Sequence, residues 1–151
     1  MGYQIEILPQ KELPENWKNL INIKFSSPEI PIVFNSKIPN YYIVNLHEDT
    51  FIHIWLSIKE REIFKDSEYL EAIKNIDTIN MTDFLKKFDK LSYTIILEYK
   101  GTENANHIII LLKLTSIIAE LSDGIITFRN DIRNFKVDNI YFPTDLDNLI
   151  Y

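Results

Sequence analysis

Two histidines and two carboxylates fall within one short stretch, His47-Glu48-Asp49-Thr50-Phe51-Ile52-His53. Imidazoles beside carboxylates are the raw material of a divalent-metal site or an acid–base couple. The spacing argues against a metal. A His-x-x-x-His pair on a helix aims two ligands from one face, whereas His47 and His53 flank a turn. Turns also gather polar residues simply because water reaches them. The third histidine, His107, falls in the first turns of a helical stretch and reads as a surface residue. No metal and no cofactor is expected.

Other chemistries fare no better. The three glycines, at positions 2, 101 and 124, are too far apart to form a phosphate cradle. No Gly-x-Ser-x-Gly elbow is present. Carboxylate pairs such as Glu60 and Glu62, or Asp145 and Asp147, are commonplace in a chain with 22 acidic residues. None lies in an apolar run that would raise its pKa for acid catalysis. Glu98 comes nearest, between Leu97 and Tyr99, but it alternates with Thr94 and Lys100 on what should be the solvent face of a strand. No catalytic residue is assigned, and the chain is expected not to be an enzyme.

These residues must be held by a scaffold, and composition bounds what it is. At 151 residues, 46% hydrophobic and 25% charged, the chain is expected to form a single domain, 1–151. Its size allows about two-thirds of the unfolded surface to be buried, without disulfides or structural metal. The absence of cysteine excludes thiol chemistry and fits a reducing compartment. The first ten residues lack the basic and apolar regions of a signal peptide, so a cytoplasmic location is expected. The most apolar run, from His107 to Leu121, is broken by Lys113 and Glu120 and is shorter than the roughly 20 residues of a membrane span. A net charge of −6 disfavours a polyanion such as nucleic acid and suits a basic partner protein.

The elements follow from periodicity. Tyr3, Ile5 and Ile7 alternate with Gln4 and Glu6 as a first strand. Leu13, Trp17, Leu20 and Ile21 mark a short helix after Pro14. Pro28, Pro31 and Pro39 confine any strand around Ile32-Val33-Phe34 to an edge. A hairpin is expected from Tyr41–Leu46 and Phe51–Ile58, with His47–Thr50 as its loop. Along its second strand Ile52, Ile54, Leu56 and Ile58 should face the core. Phe51, His53 and Trp55 on the other side form either a second packed layer or a surface patch. Helices are expected from Asp66 or Ser67 through Ile73, and from near Asn80 or Thr82 through Phe88.

Tyr93–Lys100 reads as a strand. The long helix should run from about Glu103 to Ser122, with a narrow polar stripe of Asn106, Lys113, Ser116, Glu120 and Asp123. Gly124 stands where a left-handed residue commonly ends a helix, and Ile125–Phe128 resumes as a strand. Phe135–Phe142 is a further strand, and Leu146, Leu149 and Ile150 supply one closing helical turn. The class is therefore α+β: four to six mostly antiparallel strands packed on the long helix, with shorter helices.

The segment Leu111–Phe128, a late helix that ends at a glycine and passes straight into an apolar strand, resembles the small acidic immunity proteins of bacterial polymorphic-toxin and contact-inhibition systems. That resemblance implies a cytoplasmic protein that binds and blocks a cognate toxin without catalysis of its own. It transfers no residues, since immunity surfaces differ from toxin to toxin. Residue type alone nominates the partner face: aromatic side chains with polar handles, His53, Trp55 and Tyr151, and the acidic Glu48, Asp49, Asp145 and Asp147. An acidic face fits a basic toxin domain such as a nuclease. The rivals are a ligand-binding domain or enzyme built on Phe51, His53 and Trp55, and a homo-oligomeric structural protein. A homodimer stays open under any of them.

Overall fold

The alternating residues at the start of the chain become a strand, β1 (Gly2–Leu8), with Ile5 and Ile7 fully buried. The computed structural model describes residues 2–25, 33–58, 81–91, 93–137 and 139–150. The helix expected near residues 66–73, the prolines at 28 and 31, and Tyr151 lie outside the described residues. After β1 the chain runs through α1 (Trp17–Lys24), β2 (Phe34–Ile38), β3 (Tyr41–His47), β4 (Thr50–Ile58), α2 (Met81–Asp89), β5 (Tyr93–Lys100), α3 (Ala105–Leu121), β6 (Ile125–Phe128), β7 (Ile140–Tyr141) and α4 (Pro143–Ile150).

The strands form one seven-stranded sheet in the order β2-β3-β4-β5-β1-β6-β7. Each neighbouring pair is antiparallel. The α+β class and the long covering helix are those the sequence indicates. The strand count exceeds the expected range because the two-residue β7 pairs with β6 at one edge.

One face of the sheet carries the core. Ile5, Ile7, Ile52, Ile54, Leu97, Tyr99, Ile126 and Phe128 pack there with Trp17 and Ile21 of α1, Ile108 to Ala119 of α3, and Leu146 of α4. The Asn104 side chain caps α3, accepting from the backbone N–H groups of Asn106 and His107. Because α3 meets the sheet, α1 and α4, its polar stripe is narrower than its spacing suggests. Ser116 is only 2% exposed. Its hydroxyl has a single proton to donate, and the Asp147 carboxylate at 2.6 Å is a better acceptor than the Pro143 carbonyl at 3.2 Å.

The helix-to-strand corner departs from expectation in an instructive way. The left-handed residue is Asp123, at φ 50°, and not Gly124. The Gly124 N–H donates to the Ala119 carbonyl at 2.7 Å, closing the last turn. Glycine is required there by close approach: a Cβ at position 124 would lie 2.5 Å from Ile7 Cγ2 of β1. The corner is built by packing.

The expected strand over Phe135–Phe142 is also corrected. Only Ile140–Tyr141 joins the sheet. Upstream, Ile132 and Phe135 exchange both backbone hydrogen bonds across a tight turn in which Arg133 adopts φ 52°. The backbone groups that would have extended the ladder are spent locally, and Phe135 stacks on Phe128 at 5.0 Å instead.

The opposite face is covered at one end only, as far as the described residues go. Leu8 and Ile125 point to that side by alternation and are fully buried, and Thr94 on the same face of β5 is buried as well. These residues stand outside the main core cluster. No helix of the described residues is long and apolar enough to cross a membrane.

Candidate functional site

Strand alternation decides what the β3–β4 hairpin presents to the open face. With Ile52 and Ile54 fully buried against the helices, Phe51, His53 and Trp55 must point away from them. Across the pair, Tyr41 stands opposite Trp55 and Ile43 opposite His53. On the other side, His53 is opposite Glu98 and Trp55 opposite Ile96 of β5. The rings form a continuous half-buried stripe. His53 and Trp55 stack nearly parallel, 9° apart with centroids at 5.1 Å. Phe51 meets His53 edge-on at 4.8 Å, and Tyr41 lies against both His53 and Trp55, at 5.3 and 5.1 Å. Each such pair adds about 0.5–1.5 kcal/mol beyond its buried area.

One hydrogen bond joins the polar atoms of the stripe, running between the Tyr41 hydroxyl and His53 Nδ1 across the strand pair. Burial among the rings lowers the His53 pKa, and Lys100 lowers it further, against an opposing pull from Glu98. Glu98 itself holds Lys100 in an ion pair at 3.0 Å. Glu6, further along the same face, is engaged at 3.4 Å by Arg129. Thr94 shares the face of Glu98 and Lys100 as the alternation requires, but it is buried, so only part of that face meets solvent.

Two features close the stripe at its ends. At the Trp55 end, Ile38, Pro39, Asn40, Tyr41, Trp55 and Leu56 line an open groove of about 500 Å³. Its floor is fixed by Asn40, in the left-handed region at φ 64°, whose carbonyl accepts from the Leu56 N–H at 2.8 Å. At the Phe51 end lies the acidic turn. The expected four-residue loop shrinks to Glu48 and Asp49, because His47 pairs with Thr50 past a register shift. Both side chains are exposed, and neither has an ion-pair partner among the described residues.

Gly101 seats that turn. Its φ is +134°, and a Cβ there would sit 2.6 Å from Thr50 Oγ1 and 2.7 Å from the Asp49 carbonyl. The end of β5 therefore passes beneath the turn at a distance no side chain permits.

Of the nominated residues, Glu48, Asp49, His53 and Trp55 come together on this hairpin. Asp145 and Asp147 do not join them, because they lie on α4, which packs against α3 on the helical face. Asp145 Oδ2 accepts from the Phe142 N–H at 2.7 Å, a carboxylate bonding back to the residue that starts its own helix. Asp147 holds Ser116. Both have duties in the fold. Tyr42 and Tyr99 face the helices, with Tyr42 edge-on to Trp17 at 5.2 Å. Ile38, Pro39, Asn40 and Gly101 were not singled out as site residues. Proline beside asparagine between two strands, and a glycine directly after a strand, were the signals available.

No group of three or more His, Asp and Glu among the described residues is placed to hold a metal ion. No protein-family model, curated protein or solved structure matches the chain.

Proposed function

We propose that this chain is a non-catalytic binding protein of the cytoplasm, an immunity-type inhibitor that docks on a cognate bacterial toxin and covers its active site. The observation that carries this reading is the aromatic stripe Tyr41, Phe51, His53 and Trp55 on the sheet face away from α1, α3 and α4, ending in Glu48 and Asp49, which have no ion-pair partner among the described residues. Rigid rings with few rotors and a polar handle suit an interface, since they lose little conformational freedom on burial. Uncompensated charge beside them speeds encounter with a basic partner, and ring burial slows release.

The same geometry favours binding over catalysis at His53. Its Nδ1 is engaged by Tyr41, and the nearest carboxylate across the strand pair, Glu98, is held by Lys100. His53 is not among the groove-lining residues.

Co-expression with the product of the adjacent gene, scored by cell survival, tests the reading. Protection is expected from the native chain, and its loss from Trp55→Asp or from Glu48→Lys with Asp49→Lys, while each variant stays folded by circular dichroism. A native chain that neither protects nor co-purifies with that product at equal stoichiometry would refute it.

A further inference from the structure

We infer that the partner meets this hairpin with an extended basic segment, seating an apolar side chain in the groove at Trp55 and a lysine or arginine about six residues away against Glu48 and Asp49. The inference rests on the docking face proposed above and adds the chemistry of its occupant.

Three observations converge on it. First, the groove is lined by Ile38, Pro39, Asn40, Tyr41, Trp55 and Leu56, with no charged side chain, so it suits an apolar anchor and leaves a cation no counter-ion. Second, the charges along the middle of the face cancel in place. Glu98 pairs with Lys100, and Glu6 with Arg129. The uncompensated charge on this hairpin is that of Glu48 and Asp49, which an incoming cation would match and an incoming carboxylate would oppose. Third, Phe51 stands two residues past Asp49 on the strand that leaves the turn and supplies an aromatic ring at that end of the stripe, a π-face of the kind that attracts a guanidinium or ammonium.

The register sets the spacing. From Trp55 to Phe51 is four strand steps, roughly 13 Å at about 3.3 Å per residue, and Asp49 lies two steps further. A segment lying along β4 therefore carries its anchor and its cation about six residues apart, an even spacing that keeps both side chains on the side facing the sheet. A second copy of this chain is a poorer occupant, because two bodies of net charge −6 repel on approach.

The test is a nuclear magnetic resonance titration of the full ¹⁵N-labelled chain with synthetic peptides of about ten residues in a serine–threonine background. One carries phenylalanine and arginine about six positions apart, a second replaces the arginine by glutamate, and a third places the two residues side by side. The first peptide is expected to shift the Trp55 indole and the Glu48 and Asp49 amides together. Its affinity should exceed that of the other two by about threefold to tenfold, a margin that shrinks with added salt. Glu48→Lys with Asp49→Lys should erase the margin while the indole shift persists.

Equal affinity for all three peptides, no shift with any of them, or a shift confined to one end of the stripe would overturn the proposal. So would concentration-dependent shifts at these same residues without peptide, which would mark the face as a self-association surface. Survival in the toxin assay is read separately. Peptides that fail while protection holds sink the extended segment and leave the inhibitor standing, and the converse result does the reverse.

Discussion

The two faces of the sheet draw on the same strands and present opposite surfaces. On the helical side, Ile52, Ile54, Leu97 and Tyr99 are fully buried, and the Tyr99 hydroxyl donates to the Thr102 carbonyl at 2.6 Å. On the other side, one residue along in each strand, Phe51, His53, Trp55 and Glu98 are half-buried, with His53 hydrogen-bonded to Tyr41 and Glu98 ion-paired with Lys100. Aromatic residues are frequent on both. What separates the faces is the covering: three helices on one, and among the described residues only a local apolar cluster at one end of the other. Large apolar side chains therefore do not by themselves mark a core, and a stripe of packed rings without a covering layer is ready for a partner.

The sharpest way to break this contrast is a pair of adjacent truncations. Ile54→Ala should cost about 2–5 kcal/mol, the range for deleting a large aliphatic side chain from a packed core. Trp55→Ala, its neighbour on the same strand, should cost clearly less, about 1–2 kcal/mol, because a half-buried ring leaves no closed cavity. Urea unfolding of the two variants decides it, and equal losses would make the aromatic stripe a second core. Next in size is Gly101→Ala, expected to cost about 1–3 kcal/mol through a left-handed φ and the collision with Thr50 and Asp49. Its amide shifts should concentrate at residues 48–50 and spare α3. Asp145→Ala should follow at about 1 kcal/mol for the lost helix-start bond, with no effect on partner binding. If it abolishes toxin protection in a folded protein, the helical face takes part after all.

Much of this contrast was legible in the chain. The alternation in β4 assigned Ile52 and Ile54 to the core and left Phe51, His53 and Trp55 as a layer or a patch, because a period of two has only two outcomes. The length of α3 and the narrowness of its polar stripe required cover on most sides, which α1, α4 and the sheet supply. Asp145 and Asp147 show where residue type runs out. Two carboxylates near a chain end look like surface charge, and only the docking of α4 on α3 reveals that one caps its helix and the other holds Ser116. Gly124 shows the same for backbone. Its place in the sequence signals a left-handed cap, yet the residue answers to Ile7, 117 positions earlier in the chain. Gly101 was equally hidden, since its constraint comes from a turn that precedes it by about a third of the chain. Local pattern carries the elements, and contacts between distant segments carry the site.

The smallest effect, a pH dependence, probes the stripe most directly. His53 sits between Phe51 and Trp55 on its own strand, with Tyr41 on β3 and the Glu98–Lys100 pair on β5. Its folded pKa is lowered, first by burial and then by Lys100. The unfolded chain, with a histidine pKa near 6.5, therefore binds more protons than the folded one just below that pH. The stabilisation held by neutral His53 is complete above about pH 6.5 and is lost as pH falls from there through the lower folded value. Urea midpoints of the native chain should fall more steeply between pH 7.5 and 5.5 than those of His53→Gln, with the curves converging at the acidic end. If the two run parallel across that interval, His53 is not enclosed by its neighbouring rings, and the stripe is a row of independently solvated side chains with no preformed surface to offer.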